Sequence, residues 1–466
     1  MRRFTTCYIS ITTTLLFIAA TTSSAQDLWH LEKANPNRSF GASVYDAYKH
    51  LEHKKPTPII VAVIDNGTDI NHKDLKPYIW TNPKETANNN KDDDGNGYAD
   101  DVHGWNFMGG AKADIDYEAL EETRKYQRII AKYADSTKLS DSERKVLRNA
   151  YSSYERGNEE RKSSLKYATF IDKNKKAPLL KTGALLFGGK GAVRELSEMK
   201  LYAEKELEYN YMNSDSLRRS IVGDDPLDTD NKHYGNNHLD AGDPSHGTHT
   251  AGIIAGIAKV DKHNGDWLKI IALRAVPVDG DERDKDVANA IRYAVDNGAK
   301  VISMSFGKHI SPQREYVAAA IKYAEEHDVL LVHGSGNEAK QLDSAHKRNF
   351  PNYWLDSTTR VYNWIEVGAS GNSAKKLVAG FSNYGRKSVD ILAPGVQIYS
   401  TIPGDKYEYM SGTSMATPVV AGIAAMIRSY YPQLTAQEVR ELLMKNVTTT
   451  NKYVNVPSTN WQAQLW

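Results

Sequence analysis

The feature that most constrains the fold is a series of short, unbroken apolar runs that alternate with helix-like segments. Residues 59–64 read Ile-Ile-Val-Ala-Val-Ile and end at Asp65, which is typical of a strand buried on both faces of a parallel sheet. The same pattern returns at 270–278, 300–305, 329–333, 365–369 and 389–393. Helical patterns occur at 287–297, 312–326, 413–431 and 436–446. The alternation predicts an α/β fold: an open parallel sheet with helices on both faces and polar site residues at the carboxyl ends of the strands.

The N-terminus has the composition of a secretory signal peptide. Two arginines precede an apolar stretch over residues 8–20, and a run of small residues ends at Ala25. We expect residues 1–25 to be removed, which leaves a secreted or periplasmic chain of residues 26–466. The one cysteine, Cys7, lies in the removed segment, so a cysteine nucleophile is excluded. No later stretch approaches the roughly 20 apolar residues of a transmembrane span, and none is expected in the mature chain.

Charge is balanced over the whole chain but concentrated in one segment. The 59 Lys plus Arg and 58 Asp plus Glu residues leave a net charge of +1, which gives no reason to expect a nucleic-acid partner. Residues 111–220 are rich in charge and carry helical patterns at about 117–134, 140–154 and 193–203, each with one narrow apolar stripe. The pattern predicts a helical insertion at 111–220 within a larger domain.

Three separate segments carry the residue types of a nucleophilic hydrolase. Asp65 ends the first predicted strand, His246 opens the sequence His-Gly-Thr-His-Thr-Ala-Gly, and Ser414 lies in Ser-Gly-Thr-Ser-Met-Ala-Thr-Pro at the start of a helix. A serine hydroxyl is a weak nucleophile until an imidazole removes its proton, and the imidazole needs a carboxylate to fix its tautomer and stabilise its charge. The three residues therefore predict acyl-transfer chemistry.

The three motifs, in the order Asp, His, Ser, resemble those of the subtilisin-like serine peptidases, or subtilases. The resemblance covers roughly 57–110 and 233–446. It implies a subtilisin-like catalytic domain over 26–466 that hydrolyses polypeptides. By this resemblance Asp65 would orient His246, which would act as general base and then general acid while Ser414 attacks the substrate.

The resemblance also implies an oxyanion donor and a substrate cleft. Asn337, in Gly-Ser-Gly-Asn-Glu after a predicted strand, matches the residue whose side-chain amide stabilises the oxyanion together with the backbone N–H of the nucleophile. The segment 303–307 resembles the edge that pairs with extended substrate, and 334–336 resembles the facing wall. The residues expected to contact substrate are Ser303, Ser305, Phe306, Gly307, Gly334 and Gly336.

Residues 92–100 read Asp-Asp-Asp-Gly-Asn-Gly-Tyr-Ala-Asp and match several positions of an EF-hand calcium loop. The closing glutamate is replaced by His103, so the loop is not a complete EF-hand. Loops of this composition bind calcium in many subtilases, and the resemblance implies a structural calcium ion. Its expected ligands are Asp92, Asp94, Asn96 and Asp100; the alternative is a solvated turn of Asx and Gly residues.

Two other functions have to be weighed against a serine peptidase. The spacing of His246 and His249 is one that a zinc ion can use, although the glycine between them and the absence of a neighbouring glutamate do not fit a zinc hydrolase motif. A catalytically inactive subtilase-fold binding protein is the alternative to a secreted serine endopeptidase. The 111–220 insertion is expected to flank the cleft and limit which polypeptides enter; the alternative is an insertion that only decorates the surface. The sequence does not determine the oligomeric state.

Overall fold

The computed structural model describes residues 28–33, 40–132, 213–343, 349–371, 377–449 and 455–457, with isolated positions between 140 and 166. The predicted signal peptide 1–25 lies outside the described residues, as do the helical pattern at 193–203 and most of that at 140–154. The chain divides into two compact units. One comprises Met1–Asp27 and Glu118–Ser214, and the other comprises Leu28–Tyr117 and Asp215–Trp466. The boundaries and role of the 111–220 insertion stay a prediction.

The larger unit is built on a parallel sheet of seven strands. They are β1 (Ile59–Asp65), β2 (Gly104–Asn106), β3 (Leu268–Arg274), β4 (Val301–Met304), β5 (Leu330–Gly334), β6 (Trp364–Ser370) and β7 (Ile391–Pro394). Their order across the sheet is β2-β3-β1-β4-β5-β6-β7, and every neighbouring pair is parallel. The predicted α/β fold is confirmed, and six of the seven strands coincide with predicted apolar runs.

Eight α-helices have defined bounds among the described residues. They are α1 (Val44–Leu51), α2 (Glu121–Lys132), α3 (Ser214–Ile221), α4 (Ser245–Lys259), α5 (Asp284–Asp296), α6 (Arg314–Glu326), α7 (Thr413–Tyr430) and α8 (Ala436–Lys445). Helix α8 begins where Thr435 and Glu438 form a reciprocal capping box, with Glu438 N donating to Thr435 Oγ1 at 3.2 Å. Such a cap satisfies two backbone N–H groups that a helix start otherwise leaves without partners.

Helices cover both faces of the sheet because successive strand residues point to opposite sides. Val61 and Val63 pack with the apolar residues of α4 and α7, whereas Ala62 and Ile64 pack with those of α5 and α6. All four side chains are at most 1% exposed, which explains why β1 reads as an unbroken apolar run rather than an alternating one. The prediction of helices on both faces is confirmed.

A two-stranded hairpin crosses the helix that carries His246. Strands β8 (Ile398–Ile402) and β9 (Lys406–Met410) pair antiparallel, and β9 leads directly to the start of α7. The crossing is at Gly252, where a Cβ would lie 2.1 Å from Thr401 Oγ1. Thr401 Oγ1 donates to the carbonyl of Thr248 at 2.8 Å. The hairpin thus fixes α4 relative to the segment that leads to Ser414. A second small pair consists of β10 (Val447–Thr449) and β11 (Asn455–Pro457).

Candidate active site

Three elements of the larger unit carry the predicted triad. Asp65 is the last residue of β1, His246 is the second residue of α4, and Ser414 is the second residue of α7. Polar residues at the carboxyl end of a parallel strand and at the starts of packed helices are where α/β proteins place their sites.

The Asp65 carboxylate is buried and accepts three hydrogen bonds. His246 Nδ1 lies 2.7 Å from Asp65 Oδ1, which also accepts the Asn66 N–H at 2.8 Å. The Thr250 hydroxyl donates to Asp65 Oδ2 at 3.1 Å. Asp65 is 2% exposed. These donors stabilise the ionised carboxylate in a fixed orientation, so that it directs the His246 ring.

The electrostatics of His246 follow from this contact. Burial alone would lower the pKa of His246, but the attraction of the Asp65 carboxylate and its hydrogen bond outweigh burial, so the pKa lies above its ordinary value. About a third of the His246 side chain is exposed, which leaves the ring accessible to a reacting group. The ring can therefore accept a proton and hold it beside a buried negative charge.

A glycine is required directly after His246, in the first turn of α4. A Cβ on Gly247 would lie 2.0 Å from the carbonyl oxygen of Gly67 and 3.0 Å from Asp65 Cβ. Backbone cannot yield to such a contact, so any side chain at this position would push α4 away from β1. This close approach is the physical reason for the His-Gly-Thr-His sequence.

His249 lies one helical turn further along α4 and is fully buried. Its Nε2 is 3.1 Å from the carbonyl oxygen of Glu408, and burial lowers its pKa to about 4. It is therefore a neutral core residue, whereas His246 bonds to Asp65. Within the described ranges, Glu85, Asp92 and Asp94 form the one group of three or more His, Cys, Asp or Glu ligands close enough to share a metal ion. A zinc site at the two histidines has no support from this geometry.

The Ser414 side chain forms a hydrogen bond with the backbone of Ser305. Within the part of the chain that the structure describes, Ser414 Oγ donates to the carbonyl oxygen of Ser305 at 3.1 Å rather than to His246. Catalytic hydrogen bonds are often completed only when substrate binds. Transfer of the Ser414 proton to His246 would require the loss of one neutral hydrogen bond, which costs about 0.5–1.5 kcal/mol.

Ser305 also compensates for a proline in the nucleophile helix. Pro418 lies four residues after Ser414 and has no N–H, so the Ser414 carbonyl lacks its usual helical donor. The Ser305 hydroxyl donates to that carbonyl at 2.9 Å. The two serines thus exchange two hydrogen bonds, which tie the start of α7 to the segment after β4.

Asn337 is held so that its NH₂ group is directed toward the nucleophile. Its Oδ1 accepts the Thr413 N–H at 2.9 Å and lies 3.1 Å from the Thr413 hydroxyl, which fixes the amide orientation. A Cβ built on Gly412 would lie 3.6 Å from both Asn337 Nδ2 and Ser414 N. Both donors therefore border the same space beside Ser414. Thr413, which the sequence did not single out, orients one of them.

The residues predicted to line the cleft occupy different environments. Ser303 lies inside β4, where it is paired with Val63 on one side and Val332 on the other, and it is 1% exposed. Because its backbone pairs with strands on both sides, Ser303 has no free edge with which to bind an extended substrate, and it is not proposed as a substrate contact. Ser305, Phe306 and Gly307 follow β4, and Gly334 ends β5 with Gly336 shortly after it.

The two predicted walls are joined by Asn349, which the sequence did not indicate. Asn349 Nδ2 donates to the carbonyl oxygen of Gly334 at 3.0 Å. A Cβ on Gly307 would lie 2.6 Å from the amide atoms of Asn349, so glycine is needed there. Gly336 has a φ of +97° and a Cβ would lie 2.5 Å from Asn383 Nδ2. The backbone of both walls is thus determined by two buried asparagines.

The acidic loop brings together a different set of residues from the one predicted. Glu85, Asp92 and Asp94 each offer an oxygen within 4.8 Å of the others. Asp100 instead accepts the N–H groups of residues 89 and 90 at 3.1 and 2.7 Å. The Asn96 side chain donates to Asp101 at 2.9 Å and accepts from the N–H of Tyr98 at 2.8 Å. Asp100 is therefore outside this cluster of acidic ligands, and Glu85 joins Asp92 and Asp94 in it. Three carboxylates are hard oxygen donors of the kind that calcium prefers.

The parallel α/β sheet has Asp65 at the end of a strand and His246 and Ser414 at the starts of two helices. This arrangement, in the order Asp, His, Ser along the chain, is the one expected of a subtilisin-like serine peptidase. The chain belongs to the subtilase family: the sequence model Peptidase_S8, described as the subtilase family, matches residues 57–460. This match confirms the predicted resemblance to the subtilases.

Several relatives of known identity are similar to part of the chain. A thermophilic serine proteinase of Bacillus sp. (strain AK1) is 37% identical over 192 residues, which cover 40% of this chain and 43% of the relative. Thermitase of Thermoactinomyces vulgaris is 36% identical over 187 residues, covering 40% of this chain and 61% of thermitase. Subtilisin BL of Lederbergia lenta is 33% identical over 213 residues, covering 45% of this chain and 73% of the relative. The chain thus spans less than two thirds of the length of the first two.

A solved structure is also similar to part of the chain. The crystal structure of a cold-adapted subtilisin-like serine proteinase is 26% identical and covers 46% of this chain and 74% of its own length, with a TM-score of 0.39.

Proposed function

We propose that the protein is a serine endopeptidase that hydrolyses peptide bonds through Asp65, His246 and Ser414. The observation that carries the proposal is the 2.7 Å contact between His246 Nδ1 and the buried Asp65 carboxylate, at a site where Asn337 Nδ2 and Ser414 N border one space. A polypeptide substrate agrees with the proteinases to which the chain is similar. A subtilase-fold binding protein would not need a histidine poised to accept a proton.

The proposed reaction proceeds through an acyl-enzyme. Ser414 Oγ attacks the carbonyl carbon of the scissile peptide while its proton passes to His246 Nε2, and the carbonyl electron pair moves to the oxygen. Ser414 N–H and Asn337 Nδ2 donate to this oxyanion. His246 then gives its proton to the leaving amine, and water repeats the sequence to release the acid. Asp65 keeps its negative charge throughout and stabilises the imidazolium.

Labelling with a fluorophosphonate tests this proposal against the inactive alternative. The reagent phosphonylates a serine only where a base and an oxyanion site activate it. We expect stoichiometric labelling of the mature protein at Ser414, identified by mass spectrometry of the labelled peptide. A folded, pure protein that is not labelled and does not cleave denatured casein would support the binding-protein alternative.

The pH dependence should report His246. The base must be neutral to accept the Ser414 proton, so kcat/KM is expected to fall as pH drops through the pKa of His246. Since that pKa is raised, the midpoint of the acid limb should lie above the ordinary histidine value of about 6.5. Initial rates on a chromogenic peptide between pH 5 and pH 9 measure this limb, and a flat profile down to pH 5 would rule out the assignment.

We further propose that Glu85, Asp92 and Asp94 hold a structural calcium ion. A ligand that binds only the folded state stabilises it, by about 2.7 kcal/mol at 100 times its Kd. Calcium is therefore expected to raise the Tm and a chelator to reverse the rise. Asp94→Ala should abolish the calcium-dependent shift. Asp93→Ala is the matched control, because the Asp93 carboxylate bonds to Thr86 N and Asn89 instead of joining the cluster. A Tm independent of calcium in the unsubstituted protein would contradict the site.

No helix among the described residues combines the length and the hydrophobicity that crossing a membrane requires.

Export of the protein is proposed because residues 1–25 have the composition of a secretory signal peptide. Expression with the native N-terminus should yield an exported protein whose first residue is Gln26, as determined by N-terminal mass spectrometry. Retention of residues 1–25 on the exported protein would disprove the cleavage site.

A further inference from the structure

Asn66 forms a bridge to both sides of His246. It directly follows Asp65 in the chain and is 7% exposed. Its Nδ2 donates to the carbonyl oxygen of Asp243 at 2.9 Å, and its Oδ1 accepts the N–H of Gly247 at 3.0 Å. One partner lies three residues before His246 and the other directly after it. The side chain therefore spans the turn that enters α4.

The same residue also contacts the Asp65 carboxylate. The backbone N–H of Asn66 donates at 2.8 Å to Asp65 Oδ1, which is the oxygen that lies 2.7 Å from His246 Nδ1. Asn66 thus bonds to one catalytic residue through its backbone and to the neighbours of the other through its side chain. Any displacement of Asn66 would change the relative position of Asp65 and His246.

Asn66 is itself anchored by a buried arginine. Arg274 pairs in register with Asp65 across strands β1 and β3 and is fully buried. Its Nε donates to the carbonyl oxygen of Asn66 at 3.1 Å, while its other nitrogens donate to Asn106 Oδ1 at 3.1 Å and to Ile115 O at 2.7 Å. The backbone of Asn66 is thereby fixed to the ends of neighbouring strands, and its amide has one orientation that satisfies both partners.

We propose that Asn66 is a positioning residue that holds His246 in line with Asp65. The inference rests on the proposed function of the site, but it concerns a contact that neither the triad nor the oxyanion donors include. A side chain that only stabilised the fold would change the amount of folded protein, not the behaviour of His246. A positioning residue changes the catalytic rate and the titration of His246 in the folded protein.

The kinetic test compares Asn66→Ala with Asn66→Asp. Alanine removes both hydrogen bonds, whereas aspartate keeps an acceptor for the Gly247 N–H and loses the donor to Asp243. A misplaced catalytic group costs up to about 10²-fold in rate. We expect kcat to fall about 10- to 100-fold for alanine with KM within about threefold. The matched control is Asn363→Ala, since Asn363 is also buried and donates to Val329 O, at the opposite end of the sheet. Its kcat should equal that of the unsubstituted protein.

The titration test is independent of activity. It follows His246 by NMR in the Ser414→Ala protein, with and without the changes at Asn66. Among the residues that the structure describes, the charged or titratable groups that act on His246 are Asp65 and His249. A loosened contact to Asp65 should lower the pKa of His246 in Asn66→Ala, and the added carboxylate should raise it in Asn66→Asp.

Each outcome decides the inference. An unchanged kcat and an unchanged His246 titration in folded Asn66→Ala would overturn it, as would losses that only follow the folded fraction. If the alanine variant does not fold, Asn66→Asp, which keeps the size of the side chain but loses the donor to Asp243, decides the matter: an unchanged kcat in this folded variant would overturn the inference. If the unsubstituted protein cleaves no peptide, the proposed function fails, and the titration still reports whether Asn66 positions His246.

Discussion

Replacing Ser414 by alanine is expected to lower kcat for peptide hydrolysis by about 10⁶-fold, the effect seen in subtilisin when the nucleophile is removed. Without the hydroxyl no acyl-enzyme can form, and only substrate binding and the oxyanion donors continue to act. KM should change little, because the hydroxyl does not bind the ground-state peptide. Steady-state rates on a chromogenic peptide, with active-site titration of the unsubstituted enzyme, measure the loss.

The control for this change is Ser429→Ala in the same helix. Ser429 is fully buried near the end of α7 and donates to the carbonyl oxygen of Thr57 at 2.7 Å, far along the helix from Ser414. Its removal should lower the stability but leave kcat unchanged. A Ser414→Ala protein that retains more than about 1% of kcat would show that another group is the nucleophile.

Replacing Asn337 by alanine should lower kcat by about 10²–10³-fold, with KM within about threefold. The amide donates to an oxyanion that exists only in the transition state, so its loss does not weaken ground-state binding. The variant Asn337→Asp tests the proposed role of Asn337 Nδ2 as a hydrogen-bond donor separately from the structural role of Asn337 Oδ1. Aspartate retains an oxygen for the Thr413 N–H and hydroxyl, but it cannot donate and brings a negative charge.

Both variants are therefore expected to show the kcat loss, with the aspartate variant at least as slow as the alanine variant. Thermal unfolding of each protein checks that the start of α7 is intact. Activity of Asn337→Asp close to that of the unsubstituted protein would mean that Asn337 only supports Thr413 and is not an oxyanion donor.

Much of the fold could be predicted because the central strands are buried on both faces. Such strands are rich in unbroken apolar residues, as β1 is over residues 59–64, and their alternation with helices leaves few possible architectures. Strand β2 was missed because Gly104–Asn106 is three residues long and joins the sheet through backbone bonds to β3. The hairpin β8–β9 was not predicted because its strand β9 mixes tyrosine with charged residues and the two strands pair outside the seven-stranded sheet.

The sequence could predict those residues of the candidate site whose type and neighbours form a local motif. Asp65, His246 and Ser414 each lie in such a motif, and the structure places the first two in contact. Thr250 lies within the quoted His246 motif and Asn349 lies outside every motif, but both act through hydrogen bonds to other segments of the chain, which the local sequence does not reveal.

The acidic loop shows the same limit. Spacing correctly grouped Asp92 and Asp94, but it included Asp100, whose carboxylate turns to the backbone of residues 89 and 90. Glu85 joins the group from outside the motif. The spacing of acidic residues along the chain identifies an acidic loop. The direction in which each carboxylate points depends on the backbone N–H groups that surround it in the fold.

The hydrogen bond between Ser305 and the Ser414 carbonyl makes two distant positions interdependent. With proline at 418, a non-donating residue at 305 leaves that carbonyl without its partner; with a residue at 418 that has an N–H, the helix itself can supply the donor. Substitutions at the two positions are therefore not expected to be additive. A library that varies the segment around Ser305 should randomise position 418 at the same time, because variants that fail singly can be recovered as a pair.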